Sequence, residues 1–456
     1  VLKPHTVTRY LQRHADPSVG AFLQHLGAAE VTLGVYQSAV IVPVFAEESA
    51  QFLRLFTRLI AAQAPRLLIC VVNERSDASS AQAEQNRQFV RDLLQVATHV
   101  RCIQERHAYL LGGLWPQLPG LDVLLLDITH GPFALVEKEG VGRARKIAAD
   151  VALALHVAGR LSSRFVGSSD ADAQLPVNYF EFLERSHDAA ALVFPFEHHA
   201  PVGTAPRLVE GMAQVEATFR YYVLGLSFAG SPYGYHSLGS AMGFSLPHYA
   251  AVRGFPNRQA GEDFYLLSKL AQLGPVARID NTPIMITTRL SARIPFGTGP
   301  RLEQWLKDAN TTNGQNHKHG QVHRISTWDP DLFVALRELL GLLGRWASEG
   351  HATPSCATGW IEGQAQEIFA RLAPALRGCP SAQHRVRRLH EQVDALCTLR
   401  WLNRQTRERF PPVPFDDALR RAAWLGLWPE ETAGDAHAAL AGLRRVESLL
   451  DRHVGP

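Results

Sequence analysis

The feature that most constrains this chain is a pair of continuous apolar runs, residues 39–45 (AVIVPVF) and 67–72 (LLICVV). A β-rich run without polar alternation suits a strand covered on both faces, the condition of parallel strands in an α/β sheet. Between the two, Phe52, Leu55, Phe56, Leu59 and Ile60 recur at helical spacing and complete one predicted βαβ unit. Further strand-like runs fall at 123–126, 164–167, 192–196, 241–246 and 284–287. A helix is predicted over 142–157, directly before the strand that leads into Ser168-Ser169-Asp170-Ala171-Asp172. This alternation predicts an α/β domain around a mostly parallel, Rossmann-like sheet.

After residue 299 the strands stop, and Leu-, Ala- and Arg-rich helical patterns run through 332–346, 361–372, 384–399 and 436–452. The expected organisation is an N-terminal helical extension (1–38), the α/β domain (39–299), a linker (300–325) and an α-helical C-terminal domain (326–456). The linker contains the polar stretch 310–324 (NTTNGQNHKHGQVHR), whose His317, His319 and His323 read as solvated. A length of 456 residues accommodates such a division.

Composition narrows the function classes. Lys and Arg number 46 against 43 Asp and Glu, with no run of like charge, so nothing argues for a nucleic-acid partner. Cys70, Cys102, Cys356, Cys379 and Cys397 are scattered, with no Cys-x-x-Cys spacing. That pattern supports neither a disulfide framework nor a zinc ribbon, and the expectation is a reducing, cytoplasmic setting. The N-terminal residues lack the apolar centre of a signal peptide. The most apolar later stretch, 332–343, is interrupted by Arg337 and Glu338, short of the ~20 residues a membrane span requires.

Four segments could carry chemistry. Asp170 and Asp172 leave the end of a buried strand, where two carboxylates can converge on Mn2+ or Mg2+. Acidic residues are equally at home there as a turn or helix cap. Gly261-Glu262-Asp263 opens a helical pattern, as complement to the helix dipole or as the source of a general base. In Gly140-Val141-Gly142-Arg143-Ala144-Arg145-Lys146 three cations sit at a helix start, a conflict with the macrodipole that a diphosphate would resolve; the alternative is a solvated basic face. Arg289 and Arg293 precede a Gly-Thr-Gly loop that either closes over phosphates or is an ordinary turn. The loop 227–240 (SFAGSPYGYHSLGS) offers Tyr235 and His236 as acceptor contacts or as loop packing.

In this order the segments resemble the nucleotide-sugar-dependent glycosyltransferases of the GT-A fold, most closely the family 2 group, over residues 39–274. Residues 40–48 (VIVPVFAEE) look like the first strand with its Pro43 and Glu47 at the nucleotide pocket. Gly142, Ala144 and Arg145 match the family's Gly-x-Ala-Arg, and Asp170-Ala171-Asp172 looks like its Asp-x-Asp. Residues 240–244 (SAMGF), 252–256 (VRGFP) and 261–263 (GED) are similar to the acceptor-side run ending in Glu-Asp. The resemblance implies a non-processive, hexosyltransferase-type enzyme moving a sugar from a nucleoside-diphosphate donor to a hydroxyl-bearing acceptor: a glycan, a glycolipid precursor or a small molecule. It implies Asp263 as base with inversion, Glu262 in support, and donor binding by Pro43, Glu47, Gly142, Arg145, Lys146, Asp170, Arg289 and Arg293. Asp170 and Asp172 would hold the metal, and a homodimer is a further possibility. Val72-Asn73 departs from the family's acidic pair and passes the nucleobase contact to Asn73. The processive Gln-x-x-Arg-Trp signature is absent. The alternatives are a retaining transferase on the same fold and a non-catalytic nucleotide-sugar-binding scaffold.

Overall fold

The computed structural model describes residues 5–28, 33–58, 64–185, 188–280, 282–290, 297–312, 325–352, 359–432 and 435–452. The chain divides into two compact units, Val1–His199 with Ser237–Thr287, and Ala200–His236 with Thr288–Pro456. The sequence reading draws its boundaries at 38, 299 and 325 instead. The difference lies in 200–236, a segment that belongs with the C-terminal helices, and in the N-terminal helices, which belong with the α/β unit.

Twelve strands are described in the first unit: β1 (Ser38–Val44), β2 (Arg66–Val72), β3 (His99–Gln104), β4 (Ala108–Gly112), β5 (Leu121–Asp127), β6 (Phe165–Ser168), β7 (Ala173–Gln174), β8 (Ala191–Val193), β9 (Phe196–His199), β10 (Met242–Ser245), β11 (Val276–Arg278) and β12 (Ile284–Thr287). Nine form one sheet in the order β11-β8-β10-β6-β1-β2-β5-β4-β3. The central strands β6, β1, β2 and β5 are parallel, while β10 and β4 run against their neighbours. This is the mostly parallel α/β sheet expected from the apolar runs. Every residue of β1 and β2 is buried, as a strand covered on both faces requires. A second sheet has the order β7-β12-β9.

The strand order reverses between β1 and β6, because the chain builds outward through β2 and β5 before returning to β6 on the other side of β1. Pro43 marks that point. Asn73 N–H donates to Val44 O at 2.9 Å and Ser169 N–H to Ile41 O at 3.0 Å, so even-numbered residues of β1 face β2 and odd-numbered ones face β6. Pairing with β6 covers only residues 39–41, so the N–H that proline lacks breaks no ladder bond. The two strands have parted there, and a topological switch point is where open α/β sheets bind ligands.

The helical spacing over 52–60 is realised only as Ser49–Phe52 followed by turns to residue 58; Leu59 and Ile60 lie outside the described residues. Two carbonyls that a helix would use internally are taken from outside, Leu53 O by Trp115 Nε1 at 2.7 Å and Leu55 O by Leu175 N–H at 2.9 Å. The hairpin β3–β4 went unpredicted because its edge strand is exposed over residues 99–102 and shows no alternation.

The second unit joins the helix Pro206–Phe228 to helices that include Pro330–Glu349, Gly359–Leu376, Ala395–Glu408 and Ala436–Arg452. A Cβ on Gly225 would meet the Phe333 ring at 2.5 Å, so glycine lets these two helices approach. The helix predicted over 384–399 breaks at Val393 and Asp394, where the Asp394 carboxylate accepts from Cys397 N–H at 2.7 Å and caps a new helix. Among the described residues no helix is long and apolar enough to cross a membrane.

Candidate active site

The first unit gathers its carboxylates around one buried cation. Arg145, 3% exposed, lies in the first turns of the helix Val141–Val157 beneath β1 and β2. Its Nε donates to Glu262 Oε1 at 2.8 Å and its Nη2 to Asp170 Oδ1 at 2.6 Å. Its Nη1 donates to Ser168 Oγ at 2.7 Å and to the carbonyls of Gly239 and Ser169 at 3.1 and 3.4 Å. A guanidinium, with five N–H groups in a fixed fork, is the side chain suited to this many acceptors. Burial works against its charge, but Asp170, Glu262 and Asp263 more than offset that and keep it protonated.

Asp170 follows β6 at the switch point, with its side chain 39% exposed and one oxygen on Arg145. Asp172 is two residues on, and its carbonyl accepts from Thr287 N–H at 3.2 Å and Thr287 Oγ1 at 2.9 Å, tying the acidic segment to β12. Two carboxylates form a hard, oxygen-only donor set that suits Mn2+ or Mg2+. No group of three or more His, Cys, Asp or Glu gathers as a metal cage among the described residues.

Asp263 comes from the helix Glu262–Ala271, which opens on Gly261 at φ 76°, a left-handed conformation that favours glycine. Its Oδ2 accepts from Gly239 N–H at 2.8 Å and its Oδ1 from Phe264 N–H at 2.7 Å. Burial and the neighbouring Glu262 carboxylate push Asp263 up to about 7, against Arg145 and the two backbone donors. A carboxylate has about four acceptor sites, so these two bonds leave capacity for a substrate proton.

Other residues singled out in the sequence take structural roles. Lys146 points elsewhere: its Nζ lies 3.0 Å from Asp150 Oδ2 and 2.5 Å from Tyr10 Oη, within a buried network that Tyr249 Oη (2.8 Å to Asp150) and Asp16 N–H (2.8 Å) complete. Arg143 likewise pairs with Asp16 and Glu139. Of the three cations expected at a diphosphate, only Arg145 joins the carboxylates. Gly142 is required for packing, since a Cβ there would meet Pro256 O at 2.5 Å and Arg258 O at 2.7 Å. Asn73, 2% exposed, gives its amide Nδ2 to Val44 O at 2.9 Å and so ties β1 to β2. Glu262 is buried against Arg145 and serves to position it.

Tyr235 and His236 lie in the second unit, where Tyr235 is buried and His236 Nε2 meets Glu447 Oε1 at 2.7 Å. Arg289 follows β12 and is half-buried, and Arg293 lies outside the described residues. Pro43 and Glu47 do stand at the C-terminal end of β1. Sequence reasoning missed Ser168, Gly239 and Asn86. Buried Asn86 accepts from Ala46 N–H at 2.8 Å and donates to Asn73 O at 3.1 Å, pinning the loop in which Ala46 adopts φ 49°.

No protein-family model matches the chain, and no curated protein does. Among solved structures it is similar to S. aureus TarS 1–349, at 13% identity and TM-score 0.32 over 78% of this chain and 90% of that one. It is also similar to the mannosyltransferase PcManGT from Pyrobaculum calidifontis in complex with GDP-Man and Mn2+, at 14% identity and TM-score 0.33 over 98% and 99% of the two chains. Likenesses at such TM-scores carry no functional argument.

Proposed function

We propose that the chain is a metal-dependent glycosyltransferase that moves a sugar from a nucleoside-diphosphate donor to an acceptor hydroxyl with inversion. The observation that carries this reading is the single guanidinium of Arg145 bridging Asp170 and Glu262, which links the aspartate that follows β6 at the switch point with the Glu262–Asp263 pair. Such a constellation offers charge for a leaving diphosphate beside a carboxyl group tuned for proton transfer near neutral pH.

In the reaction proposed, the acceptor oxygen bonds to the anomeric carbon, the bond from that carbon to the diphosphate oxygen breaks, and the hydroxyl proton passes to Asp263. Asp170 and Asp172 would hold Mn2+ or Mg2+, which supplies positive charge to the departing diphosphate. Arg145 keeps Asp170 oriented through its Nη2 and, as a permanently charged guanidinium, takes no part in the proton transfer. Gly239 N–H fixes Asp263 Oδ2, so the base meets its substrate in one orientation.

The test is nucleoside-diphosphate release from a panel of UDP, GDP and dTDP sugars with Mn2+, with CMP release from CMP sugars as the monophosphate comparison, followed by NMR of the product's anomeric configuration. Donor turnover that requires Asp170 and Asp172 supports the reading, and a product of retained configuration would replace Asp263 as base. A folded protein that turns over none of these donors points to the scaffold alternative.

A further inference from the structure

The helix Ser80–Val96 turns one stripe of side chains toward the loops that leave β1 and β2. Gln85, Asn86, Phe89 and Asp92 fall within about 120° of its circumference. Gln85 Nε2 donates to Glu47 O at 3.1 Å, and Asp92 Oδ2 accepts from Ser49 Oγ at 2.6 Å. Phe89 packs edge-on against Phe52, with ring centroids 5.1 Å apart. A capping box of Ser79 and Gln82 fixes the first turn of this helix, just ahead of Asn86.

Asn86, 1% exposed, commits its amide to both loops. Its Oδ1 accepts from Ala46 N–H at 2.8 Å, and its Nδ2 donates to Asn73 O at 3.1 Å and to Glu74 Oε2 at 3.3 Å. One side chain therefore joins the loop after β1 to the loop after β2. Ala46 stands at φ 49°, a left-handed conformation that a Cβ disfavours. Strain of this kind persists only where the surroundings over-determine it, and it clusters at ligand sites. The next residue, Glu47, is buried at the carboxyl end of β1. Because φ and ψ alone direct the chain, another φ at Ala46 would move Glu47.

We infer that Asn86 is a positioning residue for nucleotide binding: it holds Ala46 in the left-handed conformation and so presets the loop after β1 before a nucleotide arrives. The donor role of that loop rests on the transferase reading, and Asn86, being buried, acts through the loop. A preset loop lowers the ordering cost of binding, so the effect falls on affinity.

The experiment measures UDP and GDP affinity with Mn2+ by calorimetry, alongside the melting temperature, in N86A, A46V, A46G and N86A/A46G of the full chain. Glycine adopts the left-handed conformation without help, whereas a β-branched valine resists it. N86A and A46V are expected to weaken nucleotide at least about tenfold, A46G to match wild type, and N86A/A46G to recover most of the loss. A46V carries the test if N86A does not fold, because Ala46 is half-buried and the valine variant keeps the N–H. An N86A that melts lower yet binds nucleotide as tightly as wild type makes Asn86 structural only and overturns the inference. Equal affinity in A46V and A46G, or no recovery in N86A/A46G, overturns it too. Hydrogen exchange at the Ala46 amide separates this inference from the transferase reading. Slow exchange in wild type that N86A makes at least about tenfold faster shows the Asn86–Ala46 hold without any nucleotide. If wild type binds no nucleotide while that hold is present, the transferase reading fails and the preset loop stands. Fast exchange in wild type removes the hold and the inference with it.

Discussion

Arg145 and Asp263 are held by opposite ends of one residue: Gly239 gives its carbonyl to the guanidinium at 3.1 Å and its N–H to the carboxylate at 2.8 Å. The cation that orients Asp170 and the proposed base therefore share one backbone anchor. With its carboxyl pushed up to about 7, Asp263 is protonated below that pH and able to accept a proton above it. The expected pH profile of kcat/KM rises toward about 7 and levels off above it. D263N should lower kcat by about 100- to 10,000-fold and abolish this limb while nucleotide binding is retained. A profile flat from pH 5 to about 8 in wild type would remove Asp263 from the role.

Arg145 and Lys146 are adjacent in sequence and differ in function. R145M should destabilise the fold by about 3–5 kcal/mol, because it leaves buried Glu262 without its partner, and should weaken nucleotide binding. K146M should also cost stability, through Asp150, yet leave nucleotide affinity unchanged. Urea unfolding paired with calorimetric titration separates the two; a K146M variant that is stable but cannot bind nucleotide would restore Lys146 to the donor site.

Gly142 admits no side chain without moving backbone, since the atoms a Cβ would meet are the carbonyls of Pro256 and Arg258. G142A is therefore expected to lose about 1–3 kcal/mol. Unchanged unfolding would show that the 256–259 loop yields easily.

In the second unit Glu447 is buried between Arg220 and His236. Burial alone would raise its proton affinity, but His236 and Arg220 hold it down to about 2. The sign follows from linkage: a depressed carboxyl contributes stability that is full above its unfolded value of 4.5 and lost as pH falls toward about 2. E447Q should be less stable than wild type at pH 7, with the difference shrinking between about pH 4.5 and 2. Thermal melts across that range measure it, and a difference independent of pH would contradict the assignment.

What the sequence made legible was local. The apolar runs of β1 and β2, Pro43, the Asp170–Asp172 spacing and the Gly261 turn before Glu262 each declare themselves within a few residues. Roles set by distant partners were not legible. Successive helical residues point about 100° apart, so Arg145 and Lys146 meet different surroundings, and Lys146's partner Tyr10 lies 136 positions away. Asn73 read as a nucleobase contact because nothing in sequence shows that Val44 O takes its amide. Gly239 gave no signal, because both its bonds come from its backbone.

The most direct test of the account is calorimetric titration of UDP and GDP, each with Mn2+ and with EDTA, into wild type, D170N/D172N and D263N. The account predicts that at least one nucleotide binds in a metal-dependent manner, that D170N/D172N weakens it at least about tenfold, and that D263N leaves it intact. Binding equally tight in EDTA, or undiminished in D170N/D172N, would contradict the placement of the donor diphosphate at Asp170 and Asp172.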